Sequence, residues 1–511
     1  MQVIEWVFGS ALRREASVGR LEGVDFHTEL RMHRFQVAAL FAITVLVACG
    51  GGRNSEPTEA AIGELRIVAG AGVSDTVQAR PLQALVVEVR EGGHPRPGLI
   101  VYFQTLPTAD TTRRFESTIL TSNIAANSFG TLTSDTTDAS GRASVLVQLG
   151  TVAGDAGLRV SSPELGLADT VHVTVLPSIA KRIVMTALDA EVAFGGSYDI
   201  GAAAADRFGN RRSDAMTFSS ASPLATVDAA GNVRASQEIG RGVVIVSSGS
   251  IVDTARFTVI PRVDLAFVYL GETDTWIADG KTDGTSIRTR IRSPSPGYPS
   301  PSPTSEAIAF QRPSGPYSKI FVVDGAGTER DLLQGSAVIS AFFPRYSADG
   351  TYIYFGARDS SGYAVWRVRP DGSALERIVA TISEAVSAPG VSPDGARIAY
   401  SDYTALYVLD LATGSKVAVG PPGEFPVISP DGQRLAYFNN AGIAVANSDG
   451  TSLRQLDIPR IIKSDAGLAW LPDSKWLITR DWDSPILVNA STAEALTLRS
   501  INNCYQIAVK P

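Results

Sequence analysis

Residues 389–401 read PGVSPDGARIAYS, and residues 426–438 read PVISPDGQRLAYF. The same order of residue types returns as PRYSADGTYIYFG at 344–356, as LAWLPDSKWLITR at 468–480 and, more weakly, as PSPSPTSEAIAFQ at 299–311. The serines fall at 302, 347, 392 and 429, with Leu471 in the last copy, at intervals of 45, 45, 37 and 42. A period near 40 that carries several short strands per repeat is the signature of radially repeated β-sheets, the blades of a propeller.

Each repeat has one internal order. A short inner strand ends in serine, and an Asp-Gly turn follows, where glycine accepts the positive φ of a tight hairpin. An aromatic-rich second strand comes next, as at Tyr352–Phe355 and Arg397–Tyr400, and then a third, as at Ala364–Val368 and Leu406–Leu409. A second turn, at Asp371-Gly372 or Asp449-Gly450, leads to a fourth strand. Residues Asp264–Tyr269 and Thr275–Ala278 read as second and third strands of a unit with no inner strand of its own. The segment Cys504–Pro511 reads as a strand left over after the last repeat. Pairing the two removes two open sheet edges and predicts six blades. Cys504 is then expected to be a small buried hydrophobe. From about residue 262 to the end these repeats resemble the propeller repeats of the TolB family, and the resemblance implies protein contacts in the cell envelope.

Upstream, the patterning changes. Between Leu65 and about Pro177, runs such as LQALVVEVREGG, RASVLVQLG and DTVHVTVLP alternate apolar and polar residues between turn clusters. Alternation with period two marks half-buried strands, and regular turns mark a sandwich. The stretch Thr137–Ala143 leading into SVLVQLGTVAGDAG resembles the bacterial immunoglobulin-like domains of the invasin and intimin group. A second module, from about Ser178 to Pro261, carries Asp206–Asn210 (DRFGN) and Ala225–Ala235 and resembles a second group of bacterial immunoglobulin-like domains. Asp206 is expected to shape a turn; a calcium role at an interdomain joint lacks the dense carboxylate cluster such a site needs. The expected fold is therefore all-β: two immunoglobulin-like β-sandwiches at 63–177 and 178–261, then a six-bladed TolB-like β-propeller at 262–511.

The N-terminal region reads as an export signal. Arg31–Arg34 is followed by the apolar run FQVAALFAITVLVA and then Cys49. The run has the length of a signal-peptide core and is too short to cross a bilayer. Leu46-Val47-Ala48-Cys49 resembles the bacterial lipobox, which implies cleavage before Cys49 and lipidation of its thiol. GGGRNSEPTEA then reads as a flexible tether, so the expected divisions are a signal peptide at 32–48 and a tether at 49–62. Residues 1–31 are charged and mixed, unlike the start of a signal, and translation is expected to begin at Met32; the alternative is a cytoplasmic extension.

Composition narrows the chemistry. The formal charge is −7 and there is no basic run, so no nucleic-acid partner is expected. With Cys49 acylated, Cys504 has no partner and no disulfide staples the chain. The four histidines lie at 27, 33, 94 and 172, which removes histidine chemistry from the repeats. There is no GxSxG elbow and no metal-spaced His/Cys cluster, so no catalytic residue, metal or cofactor is expected. Asp349, Asp394, Asp431 and Asp473 recur at equivalent hairpins around a ring and are read as turn residues. Residues at the start of the inner strands face the channel mouth, which makes Tyr298, Phe343, Arg345, Glu424, Phe425 and Trp470 the candidate ligand-binding set. An aromatic and charged rim suits an envelope protein, a peptide or a glycan. Packing between blades is the competing role for each aromatic. The expectation is a monomeric, lipid-anchored, non-enzymatic binding or scaffold protein, exported to the envelope, with the outer membrane the favoured site. The alternative is a polysaccharide-active enzyme that uses carboxylates of the propeller, for which Glu424, Asp465, Asp481 and Asp483 are candidates by type.

Overall fold

A computed structural model describes residues 62–106, 119–122, 129–271, 274–292, 294–380, 387–402, 404–458, 467–481 and 484–511. The segments expected to be a start-site extension, signal and tether, with Cys49, lie outside the described residues apart from Ile62, as do Asp465 and Asp483. The described chain is all-β, with one short 3-10 turn at Pro163–Leu165. No helix among the described residues is long and apolar enough to cross a membrane.

Two sheets enclose one core between Gly63 and Leu176. The strand Arg142–Leu149 alternates exposed or half-buried residues with buried ones, and its Ala143, Val145 and Val147 meet Val101, Phe103, Leu158 and Val160 of the facing sheet. Residues Arg182–Ile260 build a second set of sheets around Val244, Val246, Phe257 and Val259. The DRFGN loop joins the two. Asp206 is fully buried and accepts N–H bonds from Phe208 (2.9 Å), Asn210 (3.0 Å) and Ser178 (3.1 Å). Burial pushes its carboxyl up, but the bonds from Asn210 and Ser178 outweigh this and hold it below the usual range. Asn210 reaches into the first module, donating to Thr151 O (2.8 Å) and accepting from Ala153 N (3.0 Å). Both Asp206 oxygens are thus occupied by N–H donors, the turn-and-joint role.

Residues Asp264–Val509 form six four-stranded antiparallel sheets among the described residues. Five are consecutive strands in chain order. The sixth combines Asp264–Leu270, Thr275–Lys281 and Arg288–Arg292 with Cys504–Val509, which pairs antiparallel with Asp264–Leu270. Each innermost strand touches the next, and Cys504–Val509 lies between Ala469–Trp470 and Gly297–Pro301, so the contacts run in a cycle. The second strands differ from those of the sandwiches: Trp476–Arg480 is buried at every position and Arg397–Ser401 at all but the first. A sheet with neighbours on both faces has no solvent side, which is why period-two alternation disappears there.

The recurrent turn explains its own residues. Ser347 Oγ donates to Asp349 Oδ1 (2.6 Å), and the backbone N–H of Thr351 donates to the same oxygen (2.9 Å). The N–H of Tyr352 returns to Ser347 Oγ (3.0 Å). Ser392 with Asp394, and Ser429 with Asp431, repeat the arrangement. The second set of sheets docks on the segment that follows Ala495–Thr497: Glu191 accepts the N–H groups of Arg499 (2.8 Å) and Ser500 (2.9 Å), and Asp189 pairs with Arg499 at 2.7 Å.

Candidate functional site

The inner strands begin with a shared irregularity. Gly297 pairs with Gln311 and Ser300 with Ala309, so one strand spends an extra residue against its partner, a β-bulge. The same shift occurs between Phe342 and Arg345, between Glu424 and Val427, and in the pairing of Cys504–Val509. The bulged residues are Tyr298 (φ 51), Phe343 (φ 57), Phe425 (φ 51) and Gln506 (φ 48). Bulky side chains in the left-handed region cost of order 1 kcal/mol or more and persist where surroundings hold them. Two holders are visible. Gln506 Oε1 accepts the Tyr298 N–H at 2.7 Å, and Gln311 Oε1 accepts the Phe343 N–H at 2.9 Å.

The bulge takes these side chains out of the strand alternation and brings them together. Tyr298 stacks on Phe425 with centroids 5.5 Å apart, and Phe343 sets its edge against both, at 4.6 and 5.2 Å. The three rings come from three different sheets. With Pro299, Pro344, Ala388, Gly467, Gln506 and Arg345 they line one pocket at the centre of the cycle. That pocket leaves room for about one water. It draws on the inner strand, or a residue two positions before it, of all six sheets.

Arg345 lies two residues beyond Phe343, roughly 6 Å further along the strand. The equivalent positions in the other sheets are Ser300, Gly390, Val427, Ala469 and Ala508, none of them charged. Gly390 is needed there, because a Cβ would stand 2.5 Å from Pro426 O of the neighbouring inner strand. The Arg345 guanidinium crosses to Leu468 O at 3.5 Å, the outer limit of a hydrogen bond, and no carboxylate pairs with it among the described residues. Burial pushes it down to about 10, so it remains a cation at neutral pH.

The other expected residues are placed differently. Trp470 is 5% exposed, donates its Nε1 to Val427 O (3.0 Å) and packs in the core between two sheets. Phe425 belongs both to that core and to the ring cluster. Glu424 is exposed beside the mouth and does not line the pocket. Asp481 Oδ1 accepts the Ser484 N–H (2.8 Å) in a turn. Gln506, Gln311, Ala388 and Gly467 are contributors that sequence reading did not single out. Ala388 and Gly467 each stand four residues before the recurrent serine or its counterpart Leu471, as Tyr298, Phe343 and Phe425 do, and that spacing is the signal that finds them.

The carboxylates do not gather at this pocket. At Asp349 and Asp394 the serine hydroxyl bond is the chief cause that holds the carboxyl below its usual range. At Asp431 burial pushes up, and Ser429 and Gln433 outweigh it. A wider groove of about 570 Å³ lies between the first two sheets and includes Asp264, Asp279, Arg288, Glu306 and Lys510. There Asp279 is held by Arg288 at 2.7 Å and Arg290 at 2.6 Å, and Glu306 faces Arg288 at 3.4 Å. Among the described residues no cluster of His, Cys, Asp and Glu could hold a metal ion.

No protein-family model matches the chain. Over 62 residues it is 39% identical to an uncharacterised protein of Agrobacterium fabrum, Atu1656; the match covers 12% of this chain and spans only 21% of that relative. Among solved structures, TolB from Acinetobacter baumannii is similar with a TM-score of 0.43 and 14% identity, covering 59% of this chain and 84% of that one. A putative TolB from Agrobacterium tumefaciens is similar with a TM-score of 0.36 and 15% identity, covering 49% and 99%. An oligogalacturonate lyase in complex with manganese is similar at 0.33 and 13% identity, covering 52% and 81%. Likenesses this distant say nothing about ligand or chemistry.

Proposed function

We propose that this chain is a lipid-anchored protein of the cell envelope whose propeller is a non-catalytic recognition head. In this reading residues 262–511 are a six-bladed TolB-like ring closed by Cys504–Val509. Residues 63–177 and 178–261 are immunoglobulin-like spacers, and Cys49, after a signal peptide at 32–48, carries the lipid. The head recognises an envelope protein, peptide or glycan at the mouth formed by Tyr298, Phe343, Phe425 and Arg345, with Glu424 on its rim and Trp470 supporting it from the core.

One observation carries the reading. Aromatic side chains from three sheets and the Arg345 cation converge on the axis, while the recurrent carboxylates sit on separate hairpins at the far ends of the inner strands, bound to serine and backbone N–H groups. Convergent aromatic and cationic groups are recognition chemistry. A carboxylate pair for hydrolysis needs two acids some 5–10 Å apart with one carboxyl raised. The three acids of the wide groove are instead paired with cations, Asp264 with Lys281 and Asp279 and Glu306 with arginines, which favours recognition over the alternative of a polysaccharide-active enzyme.

The test is photo-crosslinking in intact envelopes from a reactive residue at Tyr298, with Cys49→Ser as the anchor control. The reading expects one specific cross-linked partner, and Cys49→Ser releasing the protein from membranes. Depolymerisation of an envelope polysaccharide by the purified chain, abolished by Asp279→Asn, would overturn it in favour of the enzyme.

A further inference from the structure

Arg345 is the feature that packing leaves unexplained. Several other arginines of the sheets have nearer acceptors: Arg367 meets Glu376 at 2.7 Å, Arg312 meets Glu329 at 2.6 Å, and Arg397 has two oxygen acceptors, Ser448 Oγ and Gly432 O, both at 3.0 Å. Arg345 has one carbonyl at 3.5 Å and no carboxylate among the described residues. A guanidinium offers five N–H donors in a planar fork shaped for a carboxylate. Arg345 is half-buried, and packing alone gives no reason for a cation there, since the equivalent places in the other sheets hold Ser, Gly, Val, Ala and Ala.

We infer that the axial mouth is a carboxylate-binding site, in which the fork of Arg345 takes the carboxylate of an acidic side chain or chain terminus of a protein partner, passed between Tyr298, Phe343 and Phe425. This deepens the recognition reading above and rests on it for the partner.

Geometry favours a peptide carboxylate over a sugar acid. Glycan sites offer an open aromatic face, whereas these three rings turn their faces and edges to one another. The space beside them holds about one water, which suits a thin stem ending in a carboxylate and not a pyranose ring. Tyr298 and Phe343 are half-buried, so the rings that part to admit the stem are those facing solvent. Pro299 and Pro344 follow them and line the same pocket. Proline locks its own φ, so the backbone frame of the mouth stays fixed while the rings move.

The experiment uses the full chain and three probes: acetyl-triglycine with a free carboxylate, its C-terminal amide, and galacturonic acid, read by calorimetric titration and thermal shift. The free acid is expected to bind at least tenfold more tightly than the amide and to raise Tm, with galacturonic acid weaker than either. Arg345→Met is expected to abolish the preference without lowering the Tm of the ligand-free protein, because Arg345 makes only one long hydrogen bond among the described residues. Arg345→Lys, which keeps a cation without the fork, should retain a reduced preference. The inference is overturned if no probe binds, if acid and amide bind alike, if galacturonic acid binds best, or if Arg345→Met folds and keeps the preference. A fall in ligand-free Tm for both variants would make Arg345 a structural residue and also overturn it. Loss of the acid preference with the Tyr298 cross-link retained would sink the carboxylate site and leave the recognition head standing. A preserved preference with no cross-linked partner would do the reverse.

Discussion

Gln506 Oε1 accepts the backbone N–H of Tyr298 at 2.7 Å, although 208 residues separate the two. The bond joins the last strand of the chain to the first complete sheet, and it satisfies an amide that the left-handed bulge removes from the strand ladder. Gln506→Ala leaves that N–H without its acceptor. The expected loss is about 1–3 kcal/mol, read as a lower urea midpoint with unchanged slope. Gln311→Ala, which removes the matching bond to Phe343, should behave alike. Neutral effects at both positions would show that the bulges are held by ring packing alone.

Removing residues 504–511 takes away the strand that pairs with Asp264–Leu270. Ile507 and Ala508 are buried and Cys504 is 1% exposed. Full burial of a side chain such as isoleucine contributes about 1.5–3 kcal/mol, and two sheet edges open as well. Against a typical total of about 5–15 kcal/mol this is a large share. The truncated chain should show a much lower Tm for the transition that reports the sheets, or aggregate. An unchanged Tm would mean that the ring does not depend on this strand.

The turn acids have a pH signature with a definite sign. Asp349, Asp394 and Asp431 are held below their usual range when folded. Their contribution is therefore fully present above the unfolded value, near 3.8, and is lost as pH falls through the lower folded values. Asp394→Ala should cost about 1 kcal/mol at pH 7 and flatten the acid limb of the stability curve. The Asp349→Ala/Asp431→Ala double variant should show additive losses, since those turns are on sheets that are not neighbours. Peptide binding at the mouth should not change. A variant as stable as the parent at pH 7 would show that glycine and serine shape the turn without the carboxylate.

Glu191 and Asn210 test whether the modules act as one body. Each side chain bridges two modules through backbone bonds. Glu191→Ala should separate the unfolding of the sheets from that of the second sandwich, giving an added calorimetric transition. Asn210→Ala should do the same between the two sandwiches and speed proteolysis near Pro177. A single unchanged transition in both variants would mean that apolar contact carries the joints.

Cys504 is 1% exposed, and burial pushes its thiol up to about 12. The thiolate is the reactive form, so in a Cys49→Ser background the native protein should resist iodoacetamide at pH 8 and be labelled once unfolded. Rapid native labelling would show the last strand opening readily.

Much of the fold was legible because its signals are local. An Asp-Gly turn with a serine two residues before the aspartate makes its hydrogen bonds within six residues, so the motif at 392–397 declares the hairpin wherever the chain goes. Alternation in Arg142–Leu149 and unbroken apolar character in strands such as Trp476–Arg480 follow from having one or two buried faces. The resemblance of Leu46–Cys49 to a lipobox is equally local, and it lies outside the described residues. The site is a different matter. Tyr298, Phe343 and Phe425 could be read as residues near a mouth, but their meeting depends on a bulge whose left-handed φ no side chain announces, since aromatic residues avoid that region. Trp470 stands three residues beyond Gly467, the counterpart of those rings, and packs into the core with its indole N–H donating to Val427 O. The position of Arg345 is a property of the whole cycle: only when the inner strands are brought around one axis is it visible that, among the described residues lining the pocket, it alone is charged. Sequence alone determined the strands, the turns and their period; which side chains confront one another across the axis was decided by closure, because those contacts join residues separated by up to 208 positions.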